Sequence, residues 1–146
     1  MESDERIAPP SNAMLWTGRA MSSLPSLFLL VDGVMKLLRP AVVVETTVRL
    51  GYPESVISVL GIVLLLSTAL YVIPRTSVVG AILLTGYLGG AVATHVRVGN
   101  GAFETIFPVI IGALLWGGLV LRNPRLAALM RSFQPSPTAR HREGSE

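Results

Sequence analysis

From Ser55 to Leu121 the chain is almost continuously apolar, broken only at Pro74-Arg75 and at the segment from Arg97 to Gly101. Each run this leaves has close to the ~20 residues that a helix needs to cross a bilayer. The runs cover about Ser55–Ile73, Thr76–Val96 and Phe103–Leu121. The two breaks leave room only for tight turns, so consecutive runs must lie antiparallel and side by side. A further run, from about Trp16 to Leu38, precedes them. The pattern predicts an all-α fold, an integral membrane four-helix bundle. Its expected limits are residues 14–130, with a disordered leader over 1–13 and a disordered basic tail over 131–146.

The remaining apolar segment is too short to span. Pro40 suits a first helical position and Gly51 the position after a helix end. Between them Val42, Val43, Val44 and Val48 predict a short helix, between the first and second spans in sequence, that lies at the membrane interface or packs over the bundle. Glu45 and Arg49 are four residues apart and are expected to pair on its face. Gly51-Tyr52-Pro53 reads as a turn, and Trp16 and Arg19 read as interfacial anchors.

Composition narrows the class further. Hydrophobic residues make up 51% and charged residues 14%, and the charges gather at the ends and between the runs. That distribution names the lipid bilayer as the main partner and excludes a nucleic-acid binder, since no basic face interleaved with aromatics is present. The absence of cysteine excludes disulfides, thiol redox chemistry and cysteine-ligated metal groups within this chain. With two histidines, one of them His141 in the polar tail, no metal site is expected and no intrinsic cofactor is evident. The acidic, proline-bearing N-terminus is unlike a signal peptide, so the first span is expected to serve as the insertion signal.

Four spans put both termini on one side, and the basic residues choose which. Arg6, Arg19, Arg75, Arg122, Arg125, Arg131, Arg140 and Arg142 share the side of the termini, against Lys36, Arg39, Arg49 and Arg97 opposite. The positive-inside rule then places both termini in the cytoplasm, in a bacterial-type cytoplasmic membrane. His95 lies roughly 30 Å along its helix from Arg75, and Asp32 about 20 Å along its own helix from Arg19. Both therefore fall towards the outer side, with Lys36 and Arg97 near the same level. The inner half is expected to offer hydroxyls such as Thr17, Ser67, Thr68 and Thr85.

Two sets of residues stand out in this frame. Ionisable groups in membrane helices are costly, so they usually face the bundle, pair and mark a function. Asp32, Lys36, Tyr87, His95 and Arg97 form the candidate ligand-binding cluster at the outer leaflet. Asp32 reads either as a proton acceptor or headgroup anchor, or as the partner of Lys36 or His95 in a pair that fixes helix register. His95 reads either as a ligand contact or as a hydrogen-bonded surface histidine. Gly86, Gly90 and Thr94 recur every fourth residue on one face, a small-xxx-small seam expected to pack against another helix. No nucleotide-binding, zinc-protease or nucleophile-elbow motif is present.

Four segments together resemble a known family. They are Leu30-Val-Asp-Gly-Val-Met-Lys36, Leu50-Gly-Tyr-Pro-Glu54, Tyr71-Val-Ile-Pro-Arg75 and Leu83 to Arg97. Spread over about Trp16 to Arg125, they are similar to the DoxX-like proteins of the DoxX/DoxD-related four-helix superfamily. The resemblance implies the four-helix fold. Its founding members are associated with a quinone-linked thiosulfate oxidoreductase, and other relatives with redox-stress membrane complexes or with assembly and trafficking. Quinone is thus the cofactor the resemblance implies, and a membrane or redox protein, or a second copy of the chain, the implied partner. The family supplies no agreed catalytic motif to carry onto this sequence, so two functions stand side by side. One is a membrane subunit supporting quinone-linked redox chemistry, the other a non-enzymatic scaffold for another membrane protein.

Overall fold

The computed structural model describes residues 11–132. The first helix, α1 (Asn12–Leu38), starts where the Ser11 hydroxyl accepts the Met14 N–H at 3.3 Å. It stops at Arg39, whose φ of 52° is left-handed, and at Pro40, which has no N–H to continue the ladder. A short helix, α2 (Ala41–Arg49), follows at once, then Gly51 with φ 85° and a 3₁₀ turn over Glu54–Val56. The second long helix is α3 (Ile57–Val72), and Pro74 opens the turn after it. Thr76 closes that turn by donating its hydroxyl to Leu70 O at 2.8 Å.

The third long helix, α4 (Ser77–Val98), ends at Gly99 with φ 76°, where Asn100 N–H returns to His95 O at 3.0 Å. The fourth is α5 (Ala102–Arg122). α1, α4, α5 and the helical stretch Glu54–Val72, which joins the 3₁₀ turn to α3, are long and apolar enough to cross a membrane. Their order matches the expected spans to within a few residues, with a short helix between the first and second. At the start, Asn12 and Ala13 belong to α1 rather than to the expected leader. The rest of the leader, and the tail from residue 133, lie outside the described residues.

One helix was not anticipated. α6 (Pro124–Ser132) follows α5 after one residue, begun by Asn123, whose side-chain oxygen accepts Leu126 N–H at 3.3 Å. It takes in Arg131 and Ser132, which were expected to open the tail.

The long helices form a ring in which α1 and α4 each pack against both α3 and α5, leaving α1 and α4 diagonal to one another. The core between them is Leu29, Leu64, Tyr71, Ala81, Leu84, Leu88, Ile111, Leu115 and Leu119. Outside it the helices are apolar too: Leu24, Leu66 and Phe103 are 71%, 61% and 74% exposed. That much uncovered apolar side chain on every span is solvated by lipid tails rather than water.

Small residues bring the helices together, though not where the sequence placed the seam. A Cβ at Gly118 would meet Ser22 and lie 2.9 Å from Gly18 O, so α1 and α5 touch backbone to backbone. A Cβ at Gly61 would lie 2.9 Å from Gly33 O, which does the same for α1 and α3. At Gly80 it would run into the backbone of Tyr71, which fixes how closely α4 folds back on α3. At Gly86 and Gly90 it would meet nothing within 4 Å. Among the described residues, no helix packs on that face within 4 Å of where a Cβ would stand. Thr94, the third member of the seam, is buried.

The α6 end of the bundle holds a polar knot of its own. The buried Tyr71 hydroxyl donates to Leu115 O at 2.7 Å and lies 2.9 Å from Ser22 Oγ. Arg122 covers the Tyr71 ring at 4.8 Å and donates to Tyr71 O at 3.2 Å. A tyrosine on α3 thus ties α1 and α5, and an arginine closes the end of the helix that carries it.

Candidate functional site

At the other end the ring is not filled. A cavity of about 460 Å³ lies between the diagonal helices α1 and α4, within the range of small-molecule sites. Phe28, Leu29, Asp32 and Lys36 line it from α1, and Phe107, Pro108 and Ile111 from α5. α4 contributes the widest wall, including Gly86, Tyr87, Gly90, Thr94 and His95. α2 lies over the remaining side through Val43, Thr46 and Thr47, and α3 reaches it only at Leu60.

The sequence pattern explains this placement. Asp32 and Lys36 are one helical turn apart on α1, and Lys36 Nζ sits 2.6 Å from both carboxylate oxygens. Two opposite charges held that closely make a polar patch that tolerates an otherwise apolar wall. On α4, Tyr87, Ala91 and His95 recur every fourth residue and therefore share the face turned to the cavity. Phe28 and Phe107 close the apolar side, with ring centroids 5.3 Å apart and planes at 78°.

His95 is oriented from the helix end. Its Nδ1 lies 2.8 Å from Asn100 Nδ2, which can only donate, so Nδ1 accepts and the ring proton is on Nε2. The same Asn100 caps α4 through its backbone N–H, so one residue both ends the helix and sets the histidine tautomer.

The cover is tied down at the last turns of α4. Thr94 donates its hydroxyl proton to Gly90 O at 2.8 Å, so Tyr52 must be the donor in the 2.7 Å bond between Tyr52 and Thr94 hydroxyls. Arg97 donates to Leu50 O at 2.7 Å. Arg39 and Glu54 add an exposed ion pair at 3.3 Å across the same loop. The segment from Pro40 to Pro53 is thus strapped across the cavity by side chains rather than by an extensive packed interface.

Four of the five expected cluster residues, Asp32, Lys36, Tyr87 and His95, line this one cavity. Arg97 does not: its guanidinium is turned to the backbone of the covering loop, at the same level but outside the lining. Gly86, Gly90 and Thr94, expected as packing residues, are part of the cavity wall. The expected Glu45–Arg49 pair is not among the ion pairs of the described residues, where Arg39–Glu54 stands instead. Sequence reasoning missed Tyr52, Phe28, Phe107, Thr46 and Thr47. Tyr52 sits in a Gly-Tyr-Pro turn and the phenylalanines in apolar helices, so neither residue type nor spacing marked them. The turn itself was the available signal, because a tyrosine beside a left-handed glycine needs a partner for its hydroxyl.

Comparison with known proteins bears on the whole bundle. Neither the curated proteins nor the solved structures contain a match to this chain. The profile of the DoxX-like family matches residues 20–118, from within α1 to near the end of α5, and so covers every helix that lines the cavity. The chain is an integral membrane protein of the DoxX-like family.

Proposed function

We propose that the cavity binds the headgroup of a lipid-soluble quinone and that the protein is a membrane subunit serving quinone-linked redox chemistry. One observation carries this reading: an aromatic, largely apolar cavity between the apolar helices of the bundle has a charged pair and two hydrogen-bond donors on its lining. The donor set fits the group. A quinone ring is flat and apolar on its faces and accepts hydrogen bonds at its carbonyls. Phe28 and Phe107 supply faces and edges, and the Lys36 ammonium, the Tyr87 hydroxyl and the His95 Nε2–H supply donors. When bound, the quinone supplies the electron-accepting chemistry. The residues of this chain hold and orient it, keep its apolar faces out of water and present protons at one edge. Electrons reach it from a redox partner protein in the same membrane.

The test is binding of a short-chain quinone to the purified protein in mild detergent. Binding lost in both Asp32→Asn and His95→Ala supports the proposal, and unchanged binding in both rejects it.

The charge distribution supports an orientation with both termini in the cytoplasm of a bacterial-type membrane, which puts the cavity in the outer half of the bilayer. An alkaline phosphatase fused after the C-terminus should be inactive, and an active fusion reverses the orientation.

Gly86 and Gly90 are exposed as well as cavity-lining, and this favours a second reading, a scaffold whose α4 docks a helix of another membrane protein or of a second copy. Capture of a defined partner that is weakened by Gly90→Leu and not by His95→Ala supports that reading.

A further inference from the structure

Glycine does two different jobs in this bundle. At Gly80 and Gly118 the missing side chain admits the backbone of a neighbouring helix. At Gly86 and Gly90 it admits nothing from the chain, and both positions line the cavity. The two are one helical turn apart, so together they expose a strip of bare α4 backbone to the cavity. Side chains here would project into the cavity, with no neighbour to displace. The apolar side of the same cavity is aromatic, formed by Phe28 on α1 and Phe107 on α5.

One cavity thus has both bare helix backbone and aromatic rings on its lining. It suits a flat ring, which can lie against peptide groups on one face and meet aromatic carbon on the other. An acyl chain needs no such width, and apart from a terminal carboxylate it offers the donors beside it no acceptor. We infer that Gly86 and Gly90 are the specificity-determining residues of the cavity, holding open the width that admits the planar ring of an amphiphile. The ring lies along α4, with its polar edge towards Lys36, Tyr87 and His95. This rests on the quinone reading of the cavity and adds what that reading lacks, the two positions that set which ring is accepted.

Gly89 provides the control. It is exposed and its Cβ would also meet nothing within 4 Å, yet it does not line the cavity. Leucine at any of the three positions replaces the poorest ordinary helix former with one of the best, so all three variants should fold and melt no lower than wild type. The probe is 2-methyl-1,4-naphthoquinone, measured by equilibrium dialysis against the detergent-purified protein, with decanoic acid as competitor.

Gly86→Leu and Gly90→Leu should each weaken binding by at least about tenfold, the scale on which a misfit of single carbons is felt in an apolar site. Gly89→Leu should leave binding unchanged, and decanoate should not displace the ring. Binding lost in Asp32→Asn but kept in both cavity leucine variants overturns this inference alone. Displacement by decanoate overturns it in favour of an acyl-chain site. Equal weakening by Gly89→Leu, with a fall in oligomer mass by light scattering, assigns the glycines to packing against a second copy and overturns it. Folded wild-type protein that binds no naphthoquinone overturns both this inference and the reading beneath it.

Discussion

Removing the carboxylate of Asp32 should cost stability in a way that removing its partner as well repairs. Lys36 Nζ lies 2.6 Å from both Asp32 oxygens, and the two side chains are 15% and 34% exposed. Two unit charges ~4 Å apart attract by about 4 kcal/mol at an effective dielectric near 20, before the cost of desolvating them. Exposed pairs retain only ~0.2–1 kcal/mol of this, whereas breaking a fully buried pair costs about 3–5 kcal/mol. The half-buried pair falls between, so Asp32→Asn should destabilise by about 1–3 kcal/mol. Lys36→Met should cost less, because it removes the more buried charge and leaves the carboxylate in the more exposed position. The double variant should return to within ~1 kcal/mol of wild type, since no uncompensated charge is left in the cavity.

The assay is reversible unfolding of the detergent-solubilised protein by sodium dodecyl sulfate, read by circular dichroism as a double-mutant cycle. A coupling energy of about 1–3 kcal/mol is expected. Coupling that vanishes within ~0.3 kcal/mol would refute the reasoning, because the pair would then be no more than two solvated charges. A double variant as stable as wild type that still fails to bind quinone would show that the pair is kept for its ligand.

Other outcomes follow from the same contacts. Gly80→Ala drives a methyl group into the Tyr71 backbone, 2.7 Å from Leu70 C, and should cost at least about 3 kcal/mol, the upper end of overpacking. Gly89→Ala, which meets open space, should instead stabilise by about 1 kcal/mol, and the same unfolding titration reads both signs. Tyr52→Phe removes the donor to Thr94 and should cost about 0.5–1.5 kcal/mol. Its signature is local: amide hydrogen exchange should quicken across α2 and the loop to Pro53 and stay unchanged in α3 and α5. Tyr71→Phe deletes the hydroxyl that joins Ser22 to Leu115 O and should cost about 1 kcal/mol in the same titration, with no effect on ligand binding at the opposite end.

Much of the bundle could be read from the chain because lipid leaves few alternatives. An apolar run of bilayer length must satisfy its own backbone, so the runs are helices, and turns as short as Pro74-Arg75 leave adjacent runs nowhere to go but antiparallel. α6 escaped notice for the converse reason: nine residues are far too short to span a bilayer, so lipid does not force them into a helix, and its start depends on the Asn123 side chain. Within the cavity, Asp32, Lys36 and His95 stood out because charge and imidazole are expensive in lipid. Phe28 and Phe107 did not, because phenylalanine is ordinary there and only the ring of helices brings the two together. Arg97 was grouped with the cluster by its level along α4, and spacing cannot show that Leu50 O in the covering loop would draw its guanidinium out of the lining. The glycines carry the clearest lesson. Gly80 and Gly90 are alike as letters on one helix, and only the path of α3 decides that the first meets a backbone while the second meets a hole.

The account stands or falls on whether the space between α1 and α4 receives a quinone. The most direct measurement is photolabelling of the protein in liposomes with an azidoquinone, followed by mapping of the adducts by mass spectrometry. Adducts confined to the cavity lining, on residues 28–36 of α1, 86–95 of α4 and 107–111 of α5, and abolished by excess unlabelled quinone, are the predicted result. Adducts scattered over lipid-facing side chains such as Ile82 and Leu66, and indifferent to competitor, would contradict it.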